Sequence, residues 1–190
     1  DHGMAVLGGE TAQMPGFYSD GEYDLAGAIF GTVDSGEILP RREEMSVGDA
    51  LVAFASNGLH TNGYSLARDI LFRRVGVEVD DHSDELGTTW GEELLKVHQS
   101  YLAPIRDLSK RGFAKGFAHI TGGGIPGNLG RILPDGLQAV VETELVRVPP
   151  VFRLLEDLGE VSEQEMYDVF NMGVGLVAVC REEAIQSIQE

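Results

Sequence analysis

Apolar and polar residues alternate in blocks along the chain, and these blocks predict interleaved strands and helices. Short apolar runs at 50–55 and 173–180 are bounded by turn residues, as expected for buried strands. Apolar positions spaced along one face predict helices over 64–75 and 92–110, and a proline pair opens another over 150–158. We therefore expect an α/β protein, in the form of an α+β arrangement with a mixed sheet flanked by helices.

Weaker patterns predict further strands and a boundary between two units. Three further apolar stretches predict strands, at residues 4–7, 25–33 and 137–142. The segment 34–49 is polar and rich in turn residues, which favours a boundary there. We predict one unit over 1–33 and a larger one over 34–190.

Composition excludes several classes of partner. The 14 Lys and Arg against 31 Asp and Glu give a net charge of −17, which argues against binding to nucleic acid or to an anionic membrane surface. Cys180 is the only cysteine, so the chain has no internal disulfide, and a reducing cytoplasm fits. No apolar run reaches the length of a membrane span. Glycine is abundant, at 25 of 190 residues, and it gathers in loops.

The first glycine-rich loop of interest covers 56–63 and follows the predicted strand 50–55. It reads Ser-Asn-Gly-Leu-His-Thr-Asn-Gly and leads into a predicted helix. Main-chain N–H groups at such a position suit a phosphate or another anion, whereas the simpler interpretation is an ordinary turn. The loop lacks the Gly-Lys-Ser/Thr ending of a P-loop, so a Walker-type site is excluded.

A second loop, residues 119–128, contains three consecutive glycines at 122–124. Ordering them is costly in entropy, and close approach of the backbone to a ligand is the natural reason for accepting that cost. His119 at its start is a candidate proton donor, or a histidine bonded locally in the core. We expect the main-chain amides of 58–63 and 122–124 to converge on one cleft that holds an anion.

The same loop formally contains GxGxxG at Gly122–Gly127, so a dinucleotide-binding oxidoreductase is an alternative. Glu142 lies about 20 residues further on, as that fingerprint requires. Two observations disfavour it: residues 112–118 make a poor strand, and Pro126 stands where the phosphate-binding helix would begin.

Two other glycine segments are candidates. Glu10 and Thr11, beside a glycine pair in the loop 8–16, have the chemistry to bind a nucleotide or its metal, although an exposed turn is the simpler interpretation. The Gly-x-Gly at 173–175 permits close approach of a ligand or another chain, or marks a β-bulge.

Taken together, these segments resemble the motifs of one enzyme family. Residues 8–18 resemble GGETAxMPGxY, a signature of the phosphoribosylformylglycinamidine cyclo-ligases, also called AIR synthetases. Three more segments resemble motifs of the same family in the same order: 60–66 (HSNGYSL), 119–124 (H[IL]TGGG) and 166–175 (M[YF]RTFNxGVG).

The resemblance also has departures. Family members often carry Thr-Pro-Thr-Arg where this chain has residues 95–101, so any substrate contact there must differ or come from Lys96, His98 or Arg106. Asp168 and Val169 replace a common Arg-Thr. Family chains are about twice as long, which implies that 1–33 is the tail of an N-terminal ATP-binding and dimerisation domain, and 34–190 a C-terminal domain truncated at its end.

The resemblance implies a reaction and a set of roles. The family closes the imidazole ring of aminoimidazole ribonucleotide (AIR) from formylglycinamidine ribonucleotide, with ATP and Mg²⁺, in purine biosynthesis in the cytoplasm. His119 and His60 would be catalytic. Substrate would be held by Asn62, Gly63, Thr121, Gly122, Gly123, Gly124 and Asn171. Nucleotide would be held by Gly8, Gly9, Glu10 and Thr11, with Glu10 as a metal ligand.

The implied partners are the small-molecule substrate and, in the full-length protein, a second copy in a homodimer. The isolated chain is expected to be inactive. A non-catalytic scaffold of the same fold remains the other alternative.

Overall fold

The computed structural model describes residues 3–189. The chain divides into two units, and the boundary in the sequence lies between Ile38 and Leu39. Within its described residues, the first unit holds a single 3₁₀ turn, Ser35–Glu37, and no strand. The strands predicted at 4–7 and 25–33 are therefore wrong. A strand needs a partner to satisfy its backbone, and this unit pairs none. Its large apolar side chains are exposed, including those of Val6, Leu7, Leu25, Ile29 and Phe30.

The second unit is built on a three-stranded sheet. Strands β1 (Ala50–Ala55), β4 (Ala114–His119) and β5 (Val174–Cys180) pair in the order β1-β5-β4. Strands β2 (His82–Ser83) and β3 (Thr88–Thr89) form a small separate hairpin. The predicted strands at 50–55 and 173–180 are confirmed, and β5 is buried along its whole length.

Both β1 and β4 run antiparallel to β5. The mixed α/β class is confirmed, but the described strands make no parallel pair, so the mixed sheet is wrong. Strand β4 overturns the expectation that residues 112–118 make a poor strand, and it contains Lys115 and Gly116. Lys115 is buried there and forms an ion pair with Asp49, and Gly116 leaves room for Met45 and Pro40. The strand predicted at 137–142 is not formed.

Helices surround this sheet. They are α1 (Tyr64–Arg68, continued by a π-helix, Asp69–Val75), α2 (Trp90–Leu94), α3 (Leu102–Lys110), α4 (Gly124–Gly130), α5 (Pro150–Gly159), α6 (Glu163–Val169) and α7 (Ile185–Gln189). Short 3₁₀ turns lie at Arg42–Glu44, Thr143–Leu145 and Glu182–Ala184. The predicted helices at 64–75 and 150–158 are confirmed.

The single long helix predicted over 92–110 is wrong, because residues 95–101 separate α2 from α3. Helix α2 begins with a capping box in which Thr89 and Glu92 satisfy each other's backbone N–H groups. Pro104 lies in the first turn of α3, where a missing N–H costs no helical hydrogen bond. It therefore marks the start of α3.

Two apolar clusters hold the unit together near the loops of interest. The larger is formed by α1 with its π-helix, α5 and α6, and contains the fully buried Ile70, Leu71, Phe152 and Phe170. The second packs α4 against the sheet through Ile125, Leu129 and Val177. These clusters fix the ends of α1, α4 and α6, from which the candidate site is built.

Candidate functional site

The sheet topology brings two loops together. Phe54 of β1 and His119 of β4 both pair with Leu176 of the central strand. Because β1 and β4 both run antiparallel to β5, their carboxyl ends leave the sheet at the same edge. The loop 56–63 after β1 and the loop 120–123 after β4 therefore start side by side.

The two loops approach each other closely. A methyl group at Gly122 would lie 3.5 Å from Oδ1 of Asn62. The two glycine turns thus adjoin, whereas the convergence of their amides on a cleft that holds an anion stays a prediction. However, two of the three glycine amides that were expected to face a ligand are already hydrogen-bonded within the protein.

Most main-chain amides of the Thr-Gly-Gly-Gly turn are already used. Gly123 N–H donates to the carbonyl of Asp168 at 3.1 Å, and Gly124 N–H donates to that of Thr121 at 3.0 Å. Among the hydrogen bonds within residues 3–189, none uses the amide of Gly122. The turn therefore offers a ligand one amide of the three.

Gly124 has a packing role. Its φ is +60°, and a methyl group there would lie 1.7 Å from the carbonyl oxygen of Tyr167 in α6. Gly63 is similar, since its φ is +82° and a methyl group would lie 2.3 Å from the ring of Phe170. Both glycines let a loop pack directly against α6 or the residue that follows it. The sequence analysis had attributed this close approach to a ligand.

Asn128 on α4 hydrogen-bonds to the same turn. It was not among the site residues predicted from the sequence. Its buried amide Nδ2 donates to the carbonyls of Thr121 at 3.2 Å and Gly124 at 2.7 Å. Thr121 Oγ1 in turn donates to Asn128 Oδ1 at 3.0 Å. Thr121 and Asn128 thus fix the shape of the turn.

Asn171 fixes the other loop. It is buried, its Nδ2 donates to the carbonyl of Gly58 at 2.8 Å, and its Oδ1 accepts from Ser56 Oγ at 2.7 Å and from Gly173 N–H at 2.9 Å. Every polar atom of the side chain is thereby engaged within the protein. The geometry gives Asn171 a positioning role, in place of the direct substrate contact that was predicted.

Three histidines meet between the two loops. His60 comes from the first loop, His119 ends β4, and His98 comes from the irregular segment between α2 and α3. One ring nitrogen from each lies within 4.8 Å of the others. His98 Nε2 and His119 Nε2 are 3.1 Å apart, and the rings of His60 and His98 stack with centroids 3.9 Å apart.

His60 is held tightly. Its φ is +60°, and its Nε2 lies 2.9 Å from Oδ1 of Asn57. Asn57 Nδ2 donates to the carbonyl of Val97 at 2.9 Å, which turns Oδ1 toward the histidine. The shorter of its two contacts with Asn57, the one to Oδ1, assigns the proton to Nε2 of His60. In this tautomer Nε2 cannot accept from the Asn57 N–H, which lies 3.3 Å away.

The remaining nitrogen of His60 has no partner. Nδ1 is buried and makes no hydrogen bond. Burial, followed by the neighbouring His98 and His119, lowers the pKa of His60 to about 4. The imidazole is neutral at physiological pH, with a buried lone pair on Nδ1.

The protonation of the other two rings follows from their contacts. His98 Nδ1 lies 2.7 Å from the carbonyl of Gln99, so this nitrogen is the donor and Nε2 is an acceptor. His119 Nε2–H then donates to His98, which leaves His119 Nδ1 as an unprotonated base. Partial desolvation of its ring, and then the proximity of His98, lowers the pKa of His119 although the residue is exposed.

Gly175 makes space for this cluster. The pairing of β1 with β5 passes over Gly175, a local irregularity of the β-bulge type. A methyl group at Gly175 would lie 1.9 Å from Tyr101 Oη and 2.7 Å from Cε1 of His60. The buried Tyr101 hydroxyl donates to the carbonyl of Ala55 at 2.8 Å, and burial raises its pKa to about 12. Of the two predicted uses of this Gly-x-Gly, the structure favours the bulge.

The residues predicted to bind nucleotide lie in the first unit. Gly8, Gly9, Glu10 and Thr11 are exposed and belong to no helix or strand. A methyl group at Gly8 or Gly9 would contact nothing within 4 Å. Glu10 has the oxygen chemistry that Mg²⁺ prefers, but within this unit the segment forms no cradle for a nucleotide.

The dinucleotide alternative fails on topology. Helix α4 does follow β4 directly, contrary to the sequence argument, and Pro126 is accommodated in its first turn. However, a dinucleotide site requires parallel strands joined by a crossover helix, and β4 is antiparallel to β5. Gly122–Gly127 is not a dinucleotide fingerprint.

The geometry so far defines a mixed α/β domain whose site combines three histidines with two fixed glycine turns. Residues 46–190 match the family model described as AIR synthase related protein, C-terminal domain. The chain therefore belongs to the family of AIR synthase related proteins.

Curated relatives agree with this assignment. The chain is 46% identical over 186 residues to the phosphoribosylformylglycinamidine cyclo-ligase of Syntrophotalea carbinolica, which covers 98% of this chain and 53% of the relative. It is 42% identical over 188 residues to that of Syntrophus aciditrophicus (99% and 54%) and 44% identical over 186 residues to that of Bacillus mycoides (98% and 54%). The chain thus spans about half the length of these relatives.

No helix among residues 3–189 is long and apolar enough to cross a membrane.

Proposed function

We propose that this chain is the substrate-handling portion of an ATP-dependent phosphoribosylformylglycinamidine cyclo-ligase. It would close the imidazole ring of AIR in purine biosynthesis. The observation that carries this proposal is the juxtaposition of His119 with His60 and His98 at an edge where two glycine turns adjoin. The relatives with this name are 40–46% identical over nearly the whole chain, which supports the same chemistry here.

Ring closure requires removal of a proton from the attacking nitrogen while the formyl oxygen departs. ATP, when bound, supplies the phosphoryl group that makes this oxygen a leaving group. Within this chain, His119 Nδ1 is a free base at the exposed side of the cluster, and its Nε2–H is fixed by His98. We infer that His119 accepts the proton and that His98 orients it.

The two loops would bind and orient the substrate. The half-buried side chain of Asn62 lies beside Gly122, and this side chain and the Gly122 amide would offer hydrogen bonds to a ribose phosphate or an amidine. Thr121, Gly123, Gly124, Gly63 and Asn171 would act by holding the loops in place, as their contacts indicate. His60 is buried, so we assign it the role of packing against His98.

The nucleotide site remains a prediction for residues 8–11, with ATP and Mg²⁺ as cofactors. Since the first unit exposes its apolar side chains, we infer that 1–33 packs within an N-terminal domain of the kind that the relatives' extra length contains. That domain would also form the homodimer. We infer a cytoplasmic location, because the proposed reaction uses ATP and the one cysteine is unpaired.

The test is a chimera that joins the N-terminal portion of the S. carbinolica relative to this chain. We expect the purified chimera to convert formylglycinamidine ribonucleotide and ATP into AIR, ADP and phosphate, and the chain alone to do so at background level. A folded chimera that binds substrate without turnover would favour the non-catalytic scaffold. One that neither binds nor reacts would overturn the proposal.

A further inference from the structure

We propose that His60, His98 and His119 form a binding site for a late first-row divalent metal ion of the Zn²⁺ type, with an open coordination position. The proposal concerns metal binding by this chain and does not depend on ring closure. Its basis is the arrangement of three imidazoles around one point.

One of the three separations is already that of a metal site. Two imidazole nitrogens on one ion at about 2.0–2.1 Å are about 2.9–3.4 Å apart, depending on the coordination angle. His98 Nε2 and His119 Nε2 are 3.1 Å apart. The third ring contributes a nitrogen within 4.8 Å of both, so the loop that carries His60 must shift toward the other two rings for all three to bind one ion.

The contacts around the cluster orient the ligands. A ligating histidine usually donates its other N–H to a carbonyl or amide oxygen, which fixes the tautomer. His98 Nδ1 does this with the carbonyl of Gln99 at 2.7 Å, and His60 Nε2 does it with Asn57 Oδ1 at 2.9 Å. His119 frees its Nε2 for a metal when the proton moves from Nε2 to Nδ1 through solvent.

His60 gives an independent indication of a ligand. The residue is 6% exposed. Its Nδ1 is buried and has no hydrogen-bond partner, which holds for no other buried side-chain nitrogen or oxygen among residues 3–189. A buried polar atom without a partner is costly, and a bound cation would satisfy its lone pair.

The donor set selects the class of ion. Imidazole suits Zn²⁺, Ni²⁺ and Cu²⁺, whereas Mg²⁺ prefers oxygen ligands. His119 is exposed, so a fourth position stays open to water or to an anionic oxygen. Because the ion occupies the nitrogen through which His98 holds His119, metal binding and the proposed proton transfer exclude each other.

The test is titration of the untagged chain with Co²⁺, followed by displacement with Zn²⁺. We expect one equivalent of Co²⁺ to give the visible absorption of a four- or five-coordinate site. His98→Asn and His119→Asn should each weaken binding by about 100-fold or more, since loss even of an outer partner costs 10–100-fold. His82→Asn removes an exposed histidine of the β2–β3 hairpin and should bind as the parent does.

Thermal unfolding gives a second readout. Zn²⁺ should raise the midpoint of the parent and of His82→Asn, and leave that of His98→Asn unchanged. Circular dichroism checks that each variant is folded, and His119, being exposed, supplies a variant that preserves the core. Equal affinity in parent, His98→Asn and His119→Asn would overturn the proposal, as would a parent chain that leaves Co²⁺ six-coordinate and hydrated.

Discussion

Gly124 lies against the carbonyl oxygen of Tyr167 so closely that a methyl group would stand 1.7 Å from it. This contact seats the Thr-Gly-Gly-Gly turn on α6. It also explains why the third position of the turn is glycine, independently of any ligand.

Replacing Gly124 with alanine should therefore unfold or severely weaken the second unit. The clash is with backbone, and φ of +60° adds strain, so we expect a loss of at least about 3 kcal/mol in the free energy of unfolding. Urea unfolding followed by the fluorescence of Trp90, the one tryptophan, measures it. Gly122→Ala is the matched control and should change the free energy by less than about 1 kcal/mol, because its methyl group has room. Equal midpoints for the two variants would contradict the packing role.

The Asn171 side chain ties together segments more than 100 positions apart in the sequence. Asn171→Ala should lower the free energy of unfolding by about 2–4 kcal/mol, because it leaves buried partners at Gly58 and Ser56 unsatisfied. Chemical denaturation of the chain measures this loss. Asn62→Ala serves as the control, since that half-buried amide bonds within the described residues to Thr61 Oγ1 alone. A similar loss in both variants would argue against the positioning role.

Lys115 and Asp49 form a nearly buried ion pair, with Nζ 2.6 Å and 2.8 Å from the two carboxylate oxygens. Lys115→Met leaves a carboxylate without its cation and should cost about 3–5 kcal/mol. The double variant Asp49→Asn/Lys115→Met should recover much of this loss. A double-mutant cycle in urea measures the coupling, and strictly additive losses would show that the pair is not coupled.

Cys180 should make stability fall at alkaline pH. Burial raises the pKa of this thiol from 9.0 to about 11, so the unfolded chain releases the proton first as pH rises. The folded state binds more protons between about pH 9 and 11, and stability is lost across that window, by about 2–3 kcal/mol. Comparing the unfolding free energy of the parent and Cys180→Ala from pH 8 to 11 isolates the effect from other groups. A difference that stays constant with pH would contradict it.

The sequence identified the strands and turns that carry strong local signals. Continuous apolar runs marked β1 and β5, and glycines marked both loops of the site. Strand β4 was missed because Lys115 and Gly116 interrupt its apolar pattern, and only the tertiary contacts of Asp49 and Met45 account for them.

The third histidine required the structure. Helical spacing placed His98 within one long helix, whereas residues 95–101 leave the helix and carry His98 between His60 and His119. The sequence showed that residues 95–101 depart from the family pattern. It could not show that His98 lies beside two other histidines, because His60 and His119 come together only through the pairing of β1 and β4 with β5. Glycine was similarly ambiguous, because close approach to a ligand and close approach to Tyr167 or Phe170 give the same sequence signal.

The most direct test of the account is turnover of the chimera with His119→Asn, compared with His82→Asn. Acid–base groups contribute about 10²–10⁴-fold, so we expect kcat for AIR formation to fall by about 100-fold or more in His119→Asn and to stay at the parent value in His82→Asn. Normal turnover by a folded His119→Asn chimera would contradict the assignment of ring closure to the three-histidine site.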